Sequence, residues 1–96
     1  MEEPTIISIT TFCTQYNVPE TFIQSLQEYD LLETVREGDV EYIQVTHLQR
    51  VEKMIRLHYE LNINMEGLDV VNNLLRQIWQ LQEENQALRD RLKLYE

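Results

Sequence analysis

The sequence predicts a mainly α-helical fold, in which a compact head with a small β-hairpin precedes one long C-terminal helix. Three observations carry this prediction: apolar residues recur at helical spacing before residue 30, alternate around Gly38, and follow a heptad repeat near the C-terminus. With 96 residues and a 43% hydrophobic content, there is room for one small head and that helix. We therefore place the head at residues 1–64 and a dimerisation helix at residues 65–96.

The first part of the chain predicts an extended lead, Met1 to Ile7, and then two short helices joined by a tight turn. Ser8 or Thr10 can begin the first helix, and Asn17, which tolerates the left-handed conformation, ends it. Pro19 suits the first position of the second helix. The predicted buried faces are Ile9, Phe12, Cys13 and Tyr16, then Phe22, Ile23, Leu26 and Tyr29, with Val18 turned inward between them. Together they form a helix-turn-helix shape.

The middle of the chain predicts a β-hairpin wing and a third helix. Residues 32–36 and 40–45 alternate around a Gly38-Asp39 turn. Thr46 to Gln49 has the spacing of a capping box, which would begin the third helix. Its predicted core face is Leu48, Val51, Met54, Ile55 and Leu61. Residues 62–64 should end it before Glu66 and Asp69 open a fourth helix, in which Gly67 permits a close helix contact.

The fourth helix carries a heptad seam. Position a is occupied by Val71, Ile78, Asn85 and Leu92, and position d by Leu74, Leu81, Leu88 and Tyr95. One helix cannot bury such a stripe against itself, so we expect a homodimer. Heptad rules favour a parallel pair, since β-branched residues at a, Leu at d and a single Asn at a are typical of that arrangement.

Charge and cysteine content restrict the function. The net charge is −9, and no Lys or Arg occurs before Arg36, so the first helices should repel phosphate and attract basic proteins. The single cysteine excludes an internal disulfide, the first residues are too acidic and too few for a signal peptide, and no apolar run could cross a membrane. A cytoplasmic protein is expected. Cys13, His47 and His58 fit no nucleophile motif or zinc spacing, so we predict no enzyme, metal or cofactor.

Several segments carry a family resemblance. Phe12, Cys13, Asn17-Val18, Ile23 and Leu31-Leu32 resemble the winged helix-turn-helix of MerR-type regulators. The segments 56–61 (RLHYEL), Gly67-Leu68 and 84–92 (ENQALRDRL) are more closely similar to the chaperone-modulator branch of that fold, the CbpM type. The resemblance implies a partner of CbpA-type DnaJ-like co-chaperones that binds the J-domain and blocks its stimulation of the DnaK-type chaperone. It also implies an antiparallel coil, contrary to the heptad rules.

The departures from DNA-binding relatives decide between the two functions that the resemblance offers. Those regulators carry basic residues where this chain has Gln24, Glu28 and Glu41. Phosphate neutralisation supplies nearly all non-specific affinity for DNA, so DNA binding should be poor. A J-domain presents a basic helix, which an acidic surface would attract. The candidate contacts are Glu20, Glu28, Asp30, Asp39 and Glu41, with a second face at Arg56, Glu60 and Glu66. A dimeric adaptor for another protein remains a third interpretation.

Overall fold

The computed structural model describes residues 5–95 and confirms a mainly helical fold with a small antiparallel sheet and a long C-terminal helix. Residues 1–4 of the predicted extended lead, and Glu96, lie outside the described residues. In chain order the elements are β1 (Ile6–Ser8), α1 (Ile9–Tyr16), α2 (Glu20–Glu28), β2 (Val35–Glu37), β3 (Val40–Gln44), a 3₁₀ turn (Val45–His47), α3 (Leu48–Tyr59) and α4 (Met65–Lys93).

The two helices of the helix-turn-helix begin and end close to the predicted residues. Ser8 Oγ accepts from the backbone N–H of Thr11 at 3.1 Å and caps α1. Asn17 ends α1 in the left-handed conformation, with φ at 54°. Pro19 is the N-cap of α2 and not its first helical residue, one position earlier than predicted.

The sheet has three strands in the order β1-β3-β2, so it is larger than the predicted hairpin. Both pairings are antiparallel, and Ile7 lies opposite Ile43 while Arg36 lies opposite Glu41. The tight turn at Gly38 is confirmed, with φ at 63°. Because β1 joins the sheet directly before α1, it fixes the helix-turn-helix against the wing.

A single hydrophobic core lies between the three shorter helices, the sheet and the first turn of α4. Its fully buried side chains include Phe12, Ile23, Leu26, Leu31, Ile43, Val51 and Leu68. Three predicted core residues are wrong: Tyr16 is 38% exposed, Tyr29 is 37% exposed and Leu61 is 65% exposed. Tyr16 is the last residue of α1, Tyr29 is the C-cap of α2, and Leu61 follows the end of α3, so each lies where the apolar period no longer faces the core.

The predicted capping box of α3 is wrong. The chain leaves β3 through the 3₁₀ turn, so His47, and not Thr46, is the N-cap of α3, and it makes no side-chain capping bond. The backbone N–H of Val45 donates to Thr5 O at 2.9 Å, which extends the β1–β3 pairing past the strand end. That pairing holds residue 45 and delays the start of α3.

The fourth helix begins inside the head and then leaves it. Asn64 Oδ1 accepts from the N–H of Gly67 at 2.8 Å, and Leu68 is buried in the core. An ideal Cβ on Gly67 would lie 2.7 Å from Ile63 Cγ2, so the close contact is with the preceding loop and not with another helix. Residues 76–95 are all exposed. Within residues 5–95, no helix combines the length and apolarity that crossing a bilayer requires.

Candidate functional site

An acidic groove lies between the helix-turn-helix and the wing. We define it by its lining, which is Ile9 and Thr10 of α1, Glu20, Ile23, Gln24 and Gln27 of α2, and Asp39, Val40 and Glu41 of the wing. Its volume is about 260 Å³. The structure thus brings together three of the predicted acidic contacts, Glu20, Asp39 and Glu41, from segments that are separated along the chain.

Glu41 is held in place by its neighbours. Gln27 Nε2 donates to Glu41 Oε2 at 3.1 Å, and the Thr34 hydroxyl donates to the same oxygen at 3.3 Å. Arg36 Nη1 lies 3.9 Å from the other oxygen. Glu41 is therefore partly neutralised and fixes the wing against α2, while the exposed Glu20 and Asp39 remain available to an incoming cation.

Glu20 occupies the first turn of α2, where its charge complements the helix dipole. The Thr10 hydroxyl donates to Glu20 Oε1 at 3.3 Å and links α1 to α2 across the groove. Burial raises the pKa of the nearby Cys13 thiol, and the negative charge of Glu20 raises it further. A thiol with a raised pKa stays protonated at neutral pH, so Cys13 packs as a small core side chain and not as a nucleophile.

Glu28, Asp30 and Glu66 lie apart from the acidic groove, at the C-terminal end of α2. The Tyr29 hydroxyl donates to Glu66 Oε1 at 2.7 Å and joins α2 to the first turn of α4. This bond raises the pKa of Tyr29 and lowers the pKa of Glu66. The negative charges of Glu66, Glu28 and Asp69 raise the pKa of Tyr29 further. Asp30 continues the turn with φ at 57°.

Arg56 and Glu60 occupy a third place, on the exposed side of α3. They line a shallow cleft together with Lys53, Leu57 and Leu61. Glu66 is not part of this cleft, because its carboxylate bonds to Tyr29. The second predicted face is therefore divided, with Arg56 and Glu60 on α3 and Glu66 beside the end of α2.

The heptad seam runs along α4 as an apolar stripe. Val71 is half-buried, whereas the later apolar residues of the seam range from 47% exposed at Ile78 to 88% exposed at Tyr95. The exposed members are Leu74, Ile78, Leu81, Asn85, Leu88, Leu92 and Tyr95. A contiguous apolar stripe of this length is typical of a protein–protein contact.

A family model described as "MerR HTH family regulatory protein" matches residues 7–90, which span the head and most of α4. The chain belongs to the MerR helix-turn-helix family. No curated protein matches the sequence. Within this MerR-family fold, the acidic groove lies beside α2, the second helix of the helix-turn-helix.

The MerR-family head also contains features that the sequence patterns did not reveal. Arg50 Nη2 donates to Leu31 O at 3.1 Å, and the Tyr16 hydroxyl donates to Glu52, so α3 is bonded to both α1 and the loop after α2. The spacing of Arg50, Lys53 and Arg56 could have indicated a row of positive charges on one face of α3, because residues three apart share a helix face. Within residues 5–95, no cluster of three or more metal-ligating side chains is found.

Proposed function

We propose that this MerR-family chain is a dimeric protein-interaction module that binds the J-domain of a CbpA-type DnaJ-like co-chaperone in the cytoplasm. The observation that carries the proposal is the acidic groove, which combines the carboxylates of Glu20 on α2 and Asp39 on the wing and has no Lys or Arg among its lining residues. A basic helix of a J-domain is the kind of partner that such a surface attracts. The CbpM-type resemblance of the C-terminal segments supports the same partner.

In this proposal the groove contributes orientation and rate of association more than raw affinity. Glu20 and Asp39 are exposed, so each contact with a Lys or Arg is partly screened by water and salt. The half-buried Ile9 and the exposed Val40 supply apolar surface beside them. By covering the basic helix of the J-domain, the module would keep that helix from the DnaK-type chaperone and so restrain its stimulation.

The alternative is a DNA-binding regulator, which membership of the MerR family favours. The charge opposes it: α1 and α2 contain no Lys or Arg, and the groove beside α2 adds carboxylates. A protein that neutralises few phosphates has little non-specific affinity for duplex DNA at physiological salt.

The docking face is tested by charge reversal in the double variant Glu20→Lys/Asp39→Lys. Both side chains are exposed, so the fold should survive, and we expect J-domain affinity to fall at least about tenfold because attraction becomes repulsion. Glu41 is left intact because its bonds hold the wing. Binding is measured by calorimetry at physiological salt.

The matched control is Glu83→Lys/Asp90→Lys, which makes the same change in net charge. Both control residues lie on α4 at heptad position f, away from the seam and the head. J-domain affinity should be nearly unchanged in this control. Equal loss in both double variants, or no loss in the groove variant, would contradict the acidic groove as the docking face.

A further inference from the structure

A second groove, of opposite charge, lies between α3 and α4. We define this basic groove by its lining, which is Thr46, His47, Gln49, Arg50, Glu52, Lys53 and Arg56 on the α3 side and Asn72, Leu75 and Trp79 on α4. Its volume is about 530 Å³, larger than the acidic groove. None of the groove's residues lines the acidic groove, so it is a separate surface.

The basic groove concentrates positive charge in an acidic protein. The whole chain has 8 Lys and Arg against 17 Asp and Glu, yet Arg50, Lys53 and Arg56 follow one another along one side of α3. Within residues 5–95 the only ion pair joins Arg36 to Glu41, so no described carboxylate neutralises these three cations. The one carboxylate of the lining, Glu52, accepts a hydrogen bond from Tyr16.

One cation of the basic groove is held in place, whereas the other two are exposed. Arg50 is fixed by its 3.1 Å bond to Leu31 O, yet its Nε is buried and has no hydrogen-bond partner among residues 5–95. Lys53 and Arg56 are exposed and free to move toward an anion.

The other wall is apolar. Trp79 is 54% exposed one turn beyond Leu75, on the side of α4 that faces α3 and not in the heptad seam. An indole ring beside several cations suits a ligand that pairs carboxylates with an apolar side chain. A duplex nucleic acid fits less well, because its extended phosphate backbone would also meet the acidic surface of the head.

We infer that the basic groove binds an acidic segment of a partner protein, with carboxylates on Arg50, Lys53 and Arg56 and an apolar side chain on Trp79. This site is independent of the acidic groove proposed to bind the J-domain, since the two grooves share no residue and have opposite charge. It gives the molecule two faces with opposite preferences, one for a basic partner and one for an acidic partner.

The test uses the full chain and a Trp-free synthetic peptide in which glutamates flank one leucine. Trp79 is the only tryptophan, so its fluorescence reports the groove directly. We expect a saturable change in emission that weakens as salt is added. An isosteric peptide with glutamine for every glutamate should bind at least about tenfold more weakly.

The groove variant is Lys53→Gln/Arg56→Gln, and its matched control is Arg89→Gln/Lys93→Gln on the distal part of α4. All four side chains are exposed, so both variants should fold. The groove variant should lose about tenfold in affinity and the control less than about twofold. Arg50 is retained because its bond to Leu31 belongs to the fold.

Four results would overturn the inference: no saturable change, equal binding of the glutamine peptide, equal loss in the control variant, or displacement of the peptide by duplex DNA at physiological salt. None of these results depends on the J-domain. If the chain bound the J-domain but not the acidic peptide, this inference alone would be overturned. If it bound the acidic peptide but not the J-domain, the proposed function alone would be overturned.

Discussion

At the scale of single residues, this fold depends on short polar contacts at the ends of its helices. Asn17 ends α1 in the left-handed conformation, Asn64 caps α4, and Tyr29 ties the end of α2 to Glu66. Each contact lies where one element gives way to the next. Single substitutions at these positions should therefore change stability without changing the functional surfaces.

Asn64→Ala should lower the free energy of unfolding by about 1 kcal/mol, because the N–H of Gly67 loses its side-chain acceptor. Chemical denaturation measures the change. Asn64→Asp keeps an acceptor at the same place and should lose much less. If Asn64→Asp were as unstable as Asn64→Ala, the loss would have a cause other than the cap.

Tyr29→Phe should make stability depend less on pH. The pKa of Glu66 is lowered in the folded state, so the Tyr29–Glu66 bond stabilises the fold above the ordinary carboxyl range and ceases to do so as pH falls through it. The pKa of Tyr29 is raised, so the same stabilisation is also lost as pH rises through the tyrosine range.

Urea denaturation of the wild type and Tyr29→Phe at neutral pH and at about pH 3 measures this effect, given an ordinary Glu pKa of about 4.3. The difference in the free energy of unfolding between the wild type and Tyr29→Phe should be present at neutral pH and absent at about pH 3. In a Glu66→Gln background, Tyr29→Phe should not alter the pH dependence. A difference that persists unchanged in acid would contradict the role of the bond.

At the scale of elements, local sequence patterns predicted where the first helix begins and ends, but they did not predict the pairing of strands that are distant in the chain. Ser8 and Asn17 act on their own helix, so their roles were readable from the sequence. Strand β1 forms because Ile7 pairs with Ile43 far along the chain, which no local pattern records. That unforeseen strand also displaced the start of α3, because its pairing continues to Val45.

The candidate site shows the same division. Sequence composition identified the carboxylates Glu20, Asp39 and Glu41, but only the packing of the wing against α2 groups them apart from Glu28 and Asp30. The basic groove could not be predicted without the packing of α4 on α3, which places Trp79 and Arg50 in the lining of one groove. Residue type is local information, whereas grouping depends on tertiary contacts.

The wing hairpin depends on the positive φ of Gly38. Gly38→Ala should lower the free energy of unfolding by about 1 kcal/mol, because an L-residue is strained at φ 63°. No atom lies within 4 Å of the added Cβ, so the cost comes from the backbone and not from a clash. Thermal unfolding checks this. Gly38→Asn should lose less, since Asn tolerates that region; equal losses would contradict the explanation.

At the scale of the whole molecule, one end of α4 belongs to the head and the other presents an apolar stripe. Leu68 is buried, whereas Leu81, Leu88 and Leu92 are more than half exposed. A stripe of this length in water favours association of two copies, and the second copy would cover it. The proposed dimer would also present two acidic grooves on one assembly.

Leu81→Lys should convert the proposed dimer to a monomer, because a charge would enter the seam. Sedimentation equilibrium should show about half the wild-type mass, with the helical content of the head retained. Gln80→Lys adds the same charge at heptad position c, outside the seam, and should leave the mass unchanged. An unaltered mass for Leu81→Lys would contradict the seam as the dimer contact.

The measurement that tests the central claim most directly is a titration of the full chain into the J-domain of a CbpA-type co-chaperone, with duplex DNA as a parallel titrant. Both titrations are run at physiological salt, because phosphate contacts are exaggerated at low ionic strength. We expect saturable binding to the J-domain and none to DNA. Binding to DNA without binding to the J-domain would contradict the proposed function and assign this MerR-family chain to DNA regulation.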